Sequence, residues 1–269
     1  MMLITKVAVH KDDPERFMIS ALKENGESVS FSVDQDVLIE FRLKKGTEID
    51  EFTWQEIVYA DEVKKAYHAA LYFLAYRMRS EKEMIDYLKK KGISEAVVRD
   101  VLHKLRKQRY IDDREFAFAF VRTQMKTTLK GPNVIRKELE QFGISGEMIE
   151  ESLQMFTFDK QLEAATKLYE KTKKKTTKRS AYQWKQYMEQ LLQRKGFSRS
   201  VIDEVLNDHQ HIENEEKEWE ALEYHARKAH RRYQGHDRWT YEQKMKQSLY
   251  RKGFSIEKIE KVLEMLKDE

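Results

Sequence analysis

Along the first sixty residues the hydrophobic and polar positions alternate. Val29, Phe31 and Val33 interleave with Ser28, Ser30 and Ser32, a period of two that predicts a strand buried on one face. Val7 and Val9 carry the same pattern upstream, KDDPER (11–16) supplies a turn, and FMISAL (17–22) follows as a second run. VLIEFRL, Val37 to Leu43, predicts a further strand. These runs predict a small antiparallel β unit over residues 1–55, closed by Gly46.

From about Thr53 the period lengthens to that of a helix, and a repeat emerges. YLKKKGISEAVVRDVL, ELEQFGISGEMIEESL, QLLQRKGFSRSVIDEVL and QSLYRKGFSIEKIEKVL share one pattern, with Gly92, Gly143, Gly196 and Gly253 spaced 51, 53 and 57 residues apart. Four residues before each glycine stands Leu88, Leu139, Leu192 or Leu249, and eight before stands Met84, Ile135, Met188 or Met245. Two after comes Ser94, Ser145, Ser198 or Ser255. Four and eight beyond each serine lie Val98 and Leu102, Ile149 and Leu153, Ile202 and Leu206, or Ile259 and Leu263.

This register is that of two helices joined by a tight turn. Glycine adopts the left-handed backbone that ends one helix, serine two residues on caps the next, and the aliphatic positions fall on one helical face. The remaining residues of each unit hold a third helix: AYHAALYFLAYRMR, EFAFAFVRTQM, LEAATKLYEKTK and ALEYHARKAHRRY, with ENEEKEWE (213–220) as an acidic link. The fold expected is mainly α, tandem three-helix, helix-turn-helix-like repeats at 56–107, 108–157, 158–210 and 211–269 in an elongated array behind the β unit. In the last repeat Lys258 replaces the apolar residue found at Val97, Met148 and Val201.

The adjacent carboxylates of RYIDDREFAFAF read as a helix start rather than a metal or acid–base site. Asp112 precedes Glu115 by three residues, as in a capping box, Ile111 and Phe116 are placed as a hydrophobic staple, and Asp113 sits in the first turn. Tyr110, Phe116 and Phe120, at helical spacing, are expected in the core.

Tyr110-Ile-Asp-Asp, Phe116-Ala117, Phe120-Val121-Arg122, and Gly131-Pro132 with Ile135 and Glu138-Leu139 resemble the signature of the RecX family of RecA regulators. The resemblance runs from about Tyr67 to the C-terminus and is densest in the first two repeats. Gln124 stands where members of that family often carry a second arginine, and the fourth repeat makes the chain similar to the longer members from Gram-positive bacteria. The resemblance implies a partner, the RecA recombinase filament on single-stranded DNA, and modulation, usually inhibition, of its recombination, ATPase and SOS coprotease activities. ATP would then be hydrolysed by RecA.

Composition narrows the chemistry. The 269 residues include no cysteine, which excludes disulfides, thiolate nucleophiles and cysteine metal sites. No 18-residue window is free of charge, so no membrane span is expected, and without a visible secretory signal a cytoplasmic monomer is the expectation. No phosphate-cradling glycine loop, nucleophile elbow or paired acid–base site stands out, so neither an enzyme nor a cofactor is expected. HQH (209–211) and the trio His225, His230 and His236 lack convincing zinc spacing.

Net charge is only +4, so affinity for an anionic partner must come from clusters. Lys104 to Glu140 holds ten basic against five acidic residues. The candidate contacts there and just upstream are Arg77, Arg79, Arg106, Lys107, Arg109, Arg122, Lys126, Lys130, Arg136 and Lys137, with Lys173, Lys174 and Lys175 in the run 171–179. Arg122, Lys130 and Arg136 are expected to be central. KKK (89–91) and ARKAHRRY (226–233) are further basic stretches. Such clusters attract DNA phosphates or an acidic protein surface. A regulator that binds single-stranded or duplex DNA directly, without RecA, is the alternative.

Overall fold

The computed structural model describes residues 1–173, 179–208 and 215–266, the side chain of Lys217 excepted. By contacts the chain divides into two compact units, Met1–Phe116 and Ala117–Glu269.

The first unit begins with β1 (Met2–Val9), β2 (Arg16–Lys23), β3 (Ser28–Asp34) and the short β4 (Glu48–Ile49), an antiparallel sheet in the order β3-β2-β1-β4. Val37 to Leu43 is not a strand: α1 (Gln35–Glu40) occupies it. The Asp34 carboxylate accepts the Asp36 amide, so β3 ends on a residue that starts a helix, and local capping outweighs the β-branched run. Val37 is buried while Ile39 is exposed, as one turn of helix against the sheet requires.

Helix α2 (Glu51–Leu74) serves two cores. Ile57 closes the core of the sheet with Ile4, Ile19 and Val33, while Val63, Ala66 and Ala70 on the same helix belong to the core of the first repeat. Asp61 anchors α2 at the changeover. Its carboxylate is almost buried and accepts from Arg16 at 3.0 Å, Lys65 at 2.9 Å and the Asp34 amide at 2.8 Å. Burial works against the ionised form, yet these donors hold its pKa below the ordinary carboxylate value.

The repeats follow the register read from the sequence. The first adds α3 (Glu81–Lys90) and α4 (Glu95–Lys107) to α2; the second is α5 (Asp113–Thr127), α6 (Pro132–Gln141) and α7 (Gly146–Leu153). The third is α8 (Phe158–Lys173), α9 (Ala181–Arg194) and α10 (Arg199–Asp208), and the fourth is α11 (Glu215–Tyr233), α12 (Arg238–Tyr250) and α13 (Ile256–Met265). Met84, Ile135, Met188 and Met245, and the four leucines one turn after them, are all fully buried. Each such leucine contributes roughly 1.5–3 kcal/mol by leaving water. The four turn glycines have φ of +78, +80, +90 and +84°, and Ser145 and Ser255 cap as expected, whereas Ser94 makes no side-chain cap.

Two details differ from expectation. The acidic stretch expected as a link is, from Glu215 to Glu220, the first turns of α11, where carboxylates face the positive end of the helix dipole. Helix α2 ends at Leu74, so residues 75–80 lie outside it. Lys258, at an otherwise apolar register position, pairs with the nearly buried Glu218 of α11 at 2.5 Å.

In the second unit, neighbouring repeats dock by a repeated device. The start of α6 meets the glycine turn of the third repeat: Gly131 N–H donates to Lys195 O at 2.7 Å and Asn133 N–H to Gly196 O at 3.1 Å. One repeat later the start of α9 meets the turn of the fourth: the Ser180 hydroxyl donates to Lys252 O, and Tyr182 packs on Gly253.

Candidate functional site

Helix α4 ends in a way that glycine usually serves. The Arg109 amide donates to Arg106 O and the Tyr110 amide to Leu105 O, and Arg109 itself has φ of +58°. A non-glycine residue held there is strained by about 1 kcal/mol or more. The turn sends Ile111 into the core and leaves Tyr110 outside at 53% exposure, which corrects the expectation that Tyr110 is buried. Phe116 is buried as expected, and Phe120 is half-buried against Phe142.

The acid pair that follows is structural on both counts. Asp112 caps α5, accepting the Arg114 and Glu115 amides at 3.0 Å. Asp113 reaches further than the sequence indicated and caps a different helix, accepting the Glu81 amide at the start of α3 at 2.8 Å. Burial pushes its carboxyl above the ordinary value, against the pull of that amide. Among the described residues no group of three His, Asp or Glu is placed to hold a metal ion. His230 bonds Tyr241 and His236 meets Lys244, while HQH (209–211) lies outside the described residues.

The thirteen cations divide by what they touch. Arg77 bonds Glu83 at 2.5 Å, and Arg79, only 15% exposed, lies 3.9 Å from the Phe73 ring centre and 3.5 Å from the same carboxylate. Arg106 pairs with Glu81, Lys130 with Glu138 and Arg136 with Glu150. The Arg136 pair stands seven residues either side of Gly143; Lys246 and Glu260 flank Gly253 in the same way, 3.0 Å apart. In that position a cation ties the two arms of a helical hairpin together. Lys173 lies 5.9 Å from the Tyr169 ring, and Lys174 and Lys175 fall outside the described residues.

Lys107, Arg109, Arg122, Lys126 and Lys137 remain exposed, with no acidic partner among the described residues. Lys107 and Arg109 flank the exit of α4 beside Tyr110. Arg122 and Lys126 stand one turn apart on α5, and Lys126 borders a hollow of about 440 Å³ whose lining includes Lys160 and Lys167 of α8, with Lys167 paired to Glu163, which lines it too. Those two lysines escaped the sequence analysis because α8 is not a basic run; their spacing of seven, which puts both on one face, is the signal that finds them. Gln124, the departure from the expected arginine, is half-buried and accepts from the Thr128 hydroxyl.

Comparison with known proteins fits this repeat plan. The first three-helix domain of RecX matches residues 66–105, the second matches 112–153, and the third matches twice, at 159–206 and 215–263. The fourth repeat is thus a second copy of the third domain. The regulatory protein RecX of Geobacillus sp. (strain WCH70) is 62% identical over 100% of this chain and 98% of its own length, and that of Bacillus cereus (strain B4264) is 45% identical over 100% of both. A crystal structure of regulatory protein RecX superposes with a TM-score of 0.67 at 38% identity, covering 77% of this chain and all of the other. RecX from Lactobacillus salivarius gives 0.54 at 34% identity, over 57% of this chain and 99% of the other. With full-length identity at this level and every helical repeat matched to a domain, the chain belongs to the RecX family of regulatory proteins.

Proposed function

We propose that the chain regulates the RecA recombinase by binding its filament on single-stranded DNA and inhibiting it, with no catalysis of its own. The observation that supports this reading is the set of exposed cations without internal acidic partners, Lys107 and Arg109 in the first unit and Arg122, Lys126 and Lys137 in the second. A cation already paired within its own chain adds little to a partner's binding, since the internal pair must first be given up; an unpaired one is free to meet a carboxylate or a phosphate. Contacts distributed over tandem repeats sum through effective concentration, so individually weak ones suffice.

The decisive measurement is the ATPase rate of the cognate RecA on single-stranded DNA as the chain is titrated in at two salt concentrations. A fall at substoichiometric chain is expected. The charge reversals Lys107→Glu with Arg109→Glu, and Arg122→Glu with Lys126→Glu, should restore the rate while leaving the melting temperature in place. An unchanged rate with wild-type chain, together with tight RecA-free duplex binding, would replace this reading with direct action on DNA. Reversal variants as potent as wild type would refute the surface assignment.

A further inference from the structure

Helix α12 is apolar on two faces. Met245 and Leu249 are fully buried in the core of the fourth repeat, as the register demands. On the outer side Trp239 and Tyr250 are 73% and 63% exposed, and Ile256, at the start of α13, is 59% exposed. They border a hollow of about 500 Å³, lined also by Gln243, Gln247 and Lys246.

The third repeat shows what this face looks like when it is not a site. Counting from the turn glycine, Trp239, Lys246, Tyr250 and Ile256 correspond to Tyr182, Glu189, Gln193 and Arg199. There Tyr182 is used against Gly253 of the next repeat, and Arg199 closes the hairpin by pairing with both Glu189 and Asp203. In the fourth repeat the bridge runs instead from Lys246 to Glu260, and the positions of Gln193 and Arg199 carry Tyr250 and Ile256, which touch no further repeat among the described residues.

The charge around the hollow is one-sided. From Arg238 to Lys252 the sequence carries five basic residues and one acidic. No carboxylate lines the hollow, and the neighbouring Glu257 and Glu260 are held by Lys261 and Lys246. Two rings eleven residues apart, about 16 Å along the helix, with amides and a lysine between them, make a platform for flat, hydrogen-bonding groups joined by an anionic chain.

We propose that the α12–α13 face of the fourth repeat is a binding site for single-stranded nucleic acid, with bases stacked on Trp239 and Tyr250 and the backbone running past Lys244 and Arg251, neither of which has an acidic partner among the described residues. This site is separate from the cations invoked for the filament, and its test needs no recombinase, so each proposal stands or falls alone.

The full chain is titrated against a labelled single-stranded oligonucleotide, whose anisotropy gives the affinity of every variant, and tryptophan emission is followed in the wild-type chain. Trp54, Trp184 and Trp219 are half-buried, so quenching reports mainly on Trp239. Trp239→Ala and Tyr250→Ala are each expected to weaken binding about five-fold or more, the loss of one stacked base. Trp239→Phe should retain most of the affinity, and because both rings are exposed the melting temperature should not move. Wild-type affinity in the double alanine variant, or no strand binding by the wild-type chain, would overturn the proposal. So would tight binding of polyglutamate that the same variants abolish, since that marks a site for an acidic protein.

Discussion

Gly131→Ala tests whether the repeats of the second unit are held together at their turns. Gly131 has φ −84° and ψ 170°, a conformation that alanine adopts freely, so backbone strain does not enter. What enters is the neighbour: a Cβ at Gly131 would lie 2.4 Å from both the carbonyl carbon and the oxygen of Gly196, backbone atoms that cannot swing aside. The docked turn must separate, which takes with it the hydrogen bonds at 2.7 and 3.1 Å. At about 0.5–1.5 kcal/mol each, with some packing, the expected loss is about 2–3 kcal/mol.

Three comparisons isolate this effect. Gly92→Ala meets nothing within 4 Å and should show only the left-handed backbone term, about 1–2 kcal/mol. Gly146→Ala, at the first position of α7 with open space around it, should be neutral or stabilising by up to about 1 kcal/mol. Gly196→Ala combines a φ of +90° with a Cβ 2.6 Å from Val134 N, so the double variant with Gly131→Ala should cost less than the sum of the two, because both open one contact. Urea unfolding gives the energies, and amide hydrogen exchange at Gly131 and Asn133 gives the location. If Gly131→Ala is no more costly than Gly146→Ala, or those two amides keep their protection, the docking account is wrong.

Two further outcomes concern strain and charge. Arg109→Gly should raise stability by about 1 kcal/mol through relief of the left-handed arginine, read by urea unfolding, while weakening filament binding; no gain in stability would remove the strain argument. Asp61 and Asp113 should give opposite pH slopes. The pKa of Asp61 is lowered by folding, so its stabilisation is present above the unfolded value and is lost as pH falls through the folded one; Asp61→Asn should cost about 3 kcal/mol at neutral pH. The pKa of Asp113 is raised, so its contribution is full below the unfolded value and is lost as pH rises through the folded one. Asp113→Asn keeps an acceptor for the Glu81 amide and should melt no lower than wild type at neutral pH, with that slope gone.

The repeat was legible because five register positions recur around each glycine, and each carries one physical duty: a left-handed turn, a cap or a buried aliphatic contact. Where two local rules competed the sequence was less clear. Val37 to Leu43 has the composition of a strand, but Asp34 caps a helix there. Tyr110 fits an apolar periodicity, yet the turn at Arg109 rotates it to the surface. Which cations are available was not legible at all, since Glu81, Glu83, Glu138 and Glu150 reach Arg106, Arg77, Lys130 and Arg136 by distances along the chain that no local pattern announces. The capping of α3 by Asp113, 32 residues away, is hidden for the same reason.

The double duty of α2 also sets an order of assembly. As the chain leaves the ribosome the sheet cannot close its core until Ile57 has appeared, and by then the helix carrying it is already growing. Its far half, with Val63, Ala66 and Ala70, must then wait with an apolar face uncovered until Val97 to Leu105 of α4 emerge. For that interval the nascent chain presents a sticky helix fixed at one end to a finished sheet. The Arg16–Asp61 pair, made entirely from residues already synthesised, joins Ile57 and the Lys64–Asp36 pair in tying that helix to the β unit while its second partner is still to come.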